Sequence, residues 1–178
     1  MKKKAFIAVS ALALCAFVAC KKADKTDAPI EAVETNNATE EVNNDDALLK
    51  AAQFNDITEL QRLIEAGANV NAKNIYGTTA LMSAAEWNSI DAAQMLIASS
   101  ADVNASSNSG WTALMYASFR NSEDMAKLLI ESGAVLNAKN NEAKTALMIA
   151  KEKDADDVIQ LFKSISDALI KAAKNNDA

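Results

Sequence analysis

Gly77-Thr78-Thr79-Ala80-Leu81-Met82-Ser83-Ala84 returns as Gly110-Trp111-Thr112-Ala113-Leu114-Met115-Tyr116-Ala117, and again as Ala143-Lys144-Thr145-Ala146-Leu147-Met148-Ile149-Ala150. Thr79, Thr112 and Thr145 stand 33 residues apart, and the Ala-Leu-Met runs behind them keep the same step. A second block shares it: Gly67-Ala68-Asn69-Val70-Asn71-Ala72, Ser100-Ala101-Asp102-Val103-Asn104-Ala105, then Gly133-Ala134-Val135-Leu136-Asn137-Ala138. A fixed period of this size means stacked supersecondary units, each too small to bury its own apolar face.

Working outward, each unit reads as helix, turn, helix, hairpin. Asp46 can cap a first helix through Ala47-Leu48-Leu49-Lys50-Ala51-Ala52-Gln53-Phe54. Asn55, Asn88 and Asn121 close successive first helices, and asparagine tolerates the left-handed conformation such an end requires. Asp56, Ser89 and Ser122 follow as expected caps of the second helices. Those helices carry apolar residues at three-and-four spacing: Ile57, Leu60, Leu63, Ile64; Ile90, Ala93, Leu96, Ile97; Met125, Leu128, Leu129. Small Ala84, Ala117 and Ala150 let neighbouring helices approach closely. Ser100 occupies the place of Gly67 and Gly133, so it should be forced to positive φ.

The pattern resembles the ankyrin repeat, whose first helix opens Gly-x-Thr-Pro-Leu-His-x-Ala and whose second ends Gly-Ala-x-x-Asn. Gly77, Thr79, Leu81, Ala84, Gly67, Ala68 and Asn71 match, as do Gly110, Thr112, Leu114, Ala117, Gly133, Ala134 and Asn137. Ala80, Ala113 and Ala146 replace the family proline, and Met82, Met115 and Met148 replace the histidine, so apolar packing must stand in for its hydrogen bonding. The resemblance covers residues 46–165. It implies an all-α repeat fold, a solenoid of about four helix pairs with short β-hairpin loops. The end departs from the period: Asp167-Ala168-Leu169-Ile170-Lys171-Ala172-Ala173 nearly copies Asp46-Ala47-Leu48-Leu49-Lys50-Ala51-Ala52, and Leu169 follows Leu147 by 22 residues rather than 33. This predicts repeats over 45–165 and a C-terminal capping helix and tail over 166–178.

Composition agrees. Half of the 178 residues are apolar and only 5% aromatic, which suits packed helices rather than sheets. Net charge is −6, or −9 once residues 1–19, with three lysines and no acid, are set aside. No nucleic-acid partner is expected of so acidic a chain, because phosphate contact needs a basic face. Histidine is absent, and Cys15 and Cys20 are the only cysteines, so the body holds neither a disulfide framework nor a Cys/His metal cluster. No enzyme activity and no cofactor are expected. The acidic run Asp154, Asp156, Asp157 lacks the ligand spacing of a calcium loop and reads as solvated surface.

Met1-Lys2-Lys3-Lys4 followed by the uncharged stretch Ala5–Ala19 reads as a signal peptide over 1–19, too short for a membrane span. Its end, Ala16-Phe17-Val18-Ala19-Cys20, resembles the lipobox of bacterial lipoproteins, with Phe17 where leucine is usual. That resemblance implies lipidation of Cys20 and a membrane anchor; the alternative is an ordinary cleaved signal with an incidental cysteine. Cys15 is a poorer candidate, because bulky Leu14 precedes it. Residues 20–44 then comprise the anchor cysteine and a polar, aperiodic, disordered tether holding the only proline, Pro29. The expected location is exported and membrane-anchored in the bacterial cell envelope.

In the ankyrin family, hairpin tips and first-helix edges form a concave partner-binding surface. Carried over, the resemblance assigns that surface to Phe54, Ile75, Tyr76, Trp87, Asn108, Trp111, Phe119, Arg120, Glu142 and Lys144. Of seven aromatic residues beyond the signal, five fall there and only Tyr116 and Phe162 do not; clustered aromatics are the material of protein-binding hot spots. The function implied is a non-catalytic protein–protein interaction module, a monomer with one unidentified protein partner. A small-ligand or peptide-binding envelope lipoprotein is the alternative, and a structural spacer a third reading.

Overall fold

The computed structural model describes residues 44–176, within the compact unit Ala38–Ala178. The expected signal peptide, Cys20 and nearly all of the expected tether lie outside the described residues. Among the described residues eight helices follow one another: α1 (Asn44–Gln53), α2 (Ile57–Glu65), α3 (Ala80–Trp87), α4 (Ile90–Ala98), α5 (Ala113–Phe119), α6 (Glu123–Glu131), α7 (Ala146–Glu152) and α8 (Asp156–Asn176). First helices stack in the row α1–α3–α5–α7, and second helices pack behind them as α2–α4–α6–α8.

The repeated threonine is a helix cap. Thr79, Thr112 and Thr145 are extended, and each hydroxyl accepts from the N–H three residues on, at Met82, Met115 and Met148 (3.3, 3.4 and 3.3 Å). Leu81, Leu114, Met82 and Met115 then turn into the core with Ala84 and Ala117, all at most 1% exposed. Packing does replace histidine at Met82 and Met115. From the second helices Leu60, Leu63, Leu96, Met125 and Leu129 close the other side, joined by Leu48 and Val158.

Asn55, Asn88 and Asn121 take φ values of 55°, 56° and 54°, with Asp154 in the same register at 52°. Asn55 and Asn121 do more than turn the chain. Asn55 Oδ1 accepts from Ala92 N–H (2.9 Å) and its Nδ2 donates to Asp91 (3.1 Å); Asn121 binds Val158 N–H (3.3 Å) and Asp157 (2.8 Å) likewise. An asparagine of one repeat thus caps the second helix of the next. Asp56 caps α2 as expected, through Glu59 N–H. Ser89 and Ser122, by contrast, make no side-chain cap, and Ser89 Oγ donates instead to the Gln53 carbonyl (3.0 Å). Asp46 is not a cap either, because α1 begins earlier, at Asn44.

The loops are joined in the same way. Asn71 binds Ser100 O and Asp102 N–H, and Asn104 binds Gly133 O and Val135 N–H. Each hairpin tip closes through backbone bonds such as Ser107 N–H to Trp111 O (2.9 Å), and no strand forms among the described residues. Gly77 and Gly110 sit at φ 73° and 77°, where a Cβ would press on Asn108 N at 2.7 Å or Asn141 N at 2.9 Å. Ala143 adopts the same conformation (φ 60°) at the last tip, where no further hairpin follows.

The C-terminus differs from the expected separate helix. Residues 156–176 form one unbroken helix, so the described part of the expected cap, 166–176, is no new element but the distal part of α8. Val158 and Phe162 pack against the core, whereas residues 166–174 are exposed. Ser100 stands at φ 68°, as its alignment with Gly67 (86°) and Gly133 (92°) requires.

Candidate partner-binding groove

The 33-residue register places Phe54, Trp87, Arg120 and Lys153 at equivalent ends of the four first helices. The column runs from two aromatics to two cations. Phe54 and Trp87 are exposed, with Ile75 and Tyr76 of the first hairpin tip; the least exposed of the four is Trp87, at 55%. Four large apolar side chains in water at one end of the first-helix face form a surface that gains free energy when covered.

Arg120 binds the middle of this surface together. Its guanidinium donates to Glu86 at 3.0 Å and lies 5.8 Å from the Trp87 ring and 5.5 Å from the Phe119 ring. Lys153 sits 4.6 Å from the same Phe119 ring. At the far end Lys144 bridges Glu142 (3.0 Å) and Glu152 (2.9 Å). Hydrogen bonds with Glu152 first, and Glu142 second, hold the Lys144 ammonium above its usual pKa. These exposed pairs orient side chains more than they stabilise the fold.

Three open recesses lie along the face. The first, about 420 Å³, is lined by Leu49, Gln53, Tyr76, Glu86 and Trp87 among others. The second, about 340 Å³, is lined by Glu86, Ser109, Trp111, Tyr116 and Phe119. A third, about 190 Å³, lies between Trp111, Phe119, Lys144 and Glu152. Neighbouring recesses share walls at Glu86 and at Trp111–Phe119, so they adjoin in a row, the trough of this face.

The residues assigned from the sequence fall into four groups. Phe54, Ile75, Tyr76 and Trp87 are free surface, as expected. Trp111 and Phe119 reach the trough but are half-buried, the Trp111 ring centroid lying 5.0 Å from that of Tyr116 and 5.8 Å from that of Phe119. Asn108 is occupied by the fold: its backbone N–H donates to Tyr76 O and its Nδ2 to Ile75 O, both at 3.0 Å. Arg120, Glu142 and Lys144 form the charged remainder.

Tyr116, left out of the sequence-derived set, floors the second recess. Burial raises its phenol pKa, as does the nearby Glu86 carboxylate, against hydrogen bonds with Ser107 and Thr78. Its register mate Ser83 lines the first recess, a signal that the sequence did contain. Among the described residues no cluster of acids could hold a metal ion, and no helix is long and apolar enough to cross a membrane.

Residues 48–97 and 81–130 match the family model described as ankyrin repeats (many copies). The two matches overlap through α3 and α4, so the matched span carries consecutive units of the stack described above. No curated protein matches the chain.

Proposed function

With ankyrin repeats as the scaffold, and such repeats being in general protein–protein interaction modules, we propose that this chain is a non-catalytic, membrane-tethered lipoprotein. It holds a protein partner in the bacterial cell envelope. The observation that carries the reading is the trough, with Phe54, Ile75, Tyr76 and Trp87 exposed at one end, Arg120 in the middle and the charged cluster around Lys144 at the other end. Buried aromatic anchors with arginine supply most of the binding energy in protein interfaces. Open, adjoining recesses suit a protein segment better than an enclosed small molecule, which favours a protein over the ligand-binding alternative.

The anchor rests on Cys20 behind the lipobox-like Ala16-Phe17-Val18-Ala19. Several acyl chains on one cysteine give stable attachment, each buried methylene contributing about 0.8 kcal/mol. Cys20→Ala should move the protein from the membrane fraction to the soluble one; a mutant that still pellets with membranes removes the anchor from the proposal. For the groove, the test is capture from envelope extract by the full chain beside Tyr76→Ala/Trp87→Ala. Both side chains are exposed, so the variant should melt like the parent. A protein retained by the parent and lost by the variant supports the groove, and equal retention moves the site elsewhere.

A further inference from the structure

The three recesses of the trough are one site in three successive repeats. Gln53, Tyr76, Thr78, Ser83 and Glu86 of the first stand one 33-residue step before the five residues that line the second. The third continues the series with Glu142, Lys144, Ile149 and Glu152. What changes along it is side-chain size. The floor is Ser83, then Tyr116, then Ile149, and the neighbouring position is Thr78, then Trp111, then Lys144. The volume falls in step, from about 420 to about 340 to about 190 Å³.

In the second recess an aromatic pair occupies the site. The Tyr116 and Trp111 ring centroids are 5.0 Å apart, and the phenol reaches Ser107 and Thr78. In the first recess Ser83 and Thr78 leave that place open beside the exposed rings of Tyr76 and Trp87. Its polar groups are not fully used. Ser83 is only 9% exposed, yet its hydroxyl has no hydrogen-bond partner among the described residues. Asn74, also in the lining, accepts from the Tyr76 and Thr78 N–H groups through Oδ1 and leaves Nδ2 unbonded among them. A nearly buried hydroxyl of this kind costs free energy unless water or a ligand meets it. Charge in the lining is balanced: Asp46 offsets Lys50, and Glu86 is paired with Arg120 at 3.0 Å. A neutral group with a polar tip therefore suits this recess better than an ion.

We propose that the first recess is an anchor pocket for one aromatic side chain with a polar tip, a tyrosine or tryptophan, presented by a protein partner. The inference rests on the groove reading above and names the group that the groove takes. The incoming ring lies against Tyr76 and Trp87, in the place that Tyr116 and Trp111 hold one repeat later, and its O–H or N–H donates to Ser83 Oγ. Buried tyrosine and tryptophan need such a partner for their polar end, and these two residue types dominate protein interfaces. The second and third recesses, filled by the chain's own Tyr116 and Ile149, supply flanking contacts.

Selection of a random-sequence peptide library on the immobilised full chain in non-ionic detergent tests this, with Ser83→Tyr and Ser83→Ile as filled variants. Each gives the first recess the floor that a later repeat already carries, at Tyr116 or Ile149, so the fold should survive. Melting curves verify it, and if one variant fails to melt cooperatively the other carries the test. Selected peptides should contain a tyrosine or tryptophan. Alanine in its place, or either filled variant, should weaken binding at least about tenfold. Ser83→Ala keeps the space and removes the hydroxyl, so it should weaken these peptides but not their phenylalanine versions. Peptides without such a residue, or peptides that bind the filled variants as tightly as the parent, would overturn the anchor pocket. If those peptides are still lost with Tyr76→Ala/Trp87→Ala, the groove of the proposed function stands. Peptides indifferent to that double variant as well, or no peptide selected, would overturn both readings.

Discussion

Replacing Ser100 by glycine isolates the cost of one backbone angle. Ser100 holds φ 68° at the end of α4, where its own N–H donates to Ile97 O (3.0 Å) and the next N–H to Leu96 O (2.9 Å). Glycine keeps both bonds, and the one from Asn71 Nδ2 to the residue 100 carbonyl. The exposed serine side chain is no part of the core. An L-residue in the left-handed region costs about 1–2 kcal/mol. Glycine returns about 0.4–1 kcal/mol of that through the greater freedom of its unfolded chain. The net gain should be about 0.5–1 kcal/mol, a rise in Tm of roughly 1–4 °C for a chain of this size. Far-UV circular dichroism melts and urea midpoints measure it. Gly133→Ser is the mirror experiment, since φ 92° is still less accessible to serine while no atom lies within 4 Å of the added Cβ; it should destabilise by at least as much. If Ser100→Gly leaves Tm unchanged or lowers it while Gly133→Ser is harmless, backbone strain is not what governs this position.

Leu114→Ala, at the centre of the first-helix row and 1% exposed, should cost roughly 2–5 kcal/mol in a urea titration, since neither neighbouring helix can collapse into the void. Gly77→Ala should destabilise more than Ala143→Gly stabilises, because only the first meets the backbone of the next hairpin, at 2.7 Å; thermal melts of the two variants settle the order. Burial raises the Tyr116 pKa above its ordinary 10.0, so the folded state keeps the phenol proton over a range where the unfolded chain has lost it. This contribution to stability is whole below about pH 10 and is lost as pH rises through the folded value. Tyr116→Phe should make the alkaline fall in Tm shallower, and an unaltered slope would place the pH dependence elsewhere.

The stack was legible because its signals recur. A threonine cap, a left-handed asparagine and a Gly-Ala step at a constant interval locate the starts of α3, α5 and α7, the turns into the second helices and the strain at Ser100. What stayed hidden was which repeat satisfies which group. The Ala92 N–H is served by Asn55, 37 residues earlier, and Asn108 spends its amide on the preceding tip; neither pairing leaves a local trace. In the groove, exposure of Phe54 and Trp87 followed from register. The half-burial of Trp111 and Phe119 did not, because it depends on Tyr116 filling a place that Ser83 leaves open one repeat earlier. The unbroken α8 had a signal that the α1-like copy obscured: no glycine or proline lies between Asp156 and Asn176 to stop the helix.

The side-chain bonds between repeats given above reach across one junction only, spanning 29 to 37 residues. Phe54 and Lys153 therefore feel each other only through a relay of intermediate packing, and an array of this kind unravels from an end when its junctions weaken. An elongated partner lying along all four first-helix ends would be the single object touching every unit. Its arrival would convert a chain of nearest-neighbour couplings into one cooperative body, so the bound state would lose its repeats together where the free state loses them in turn.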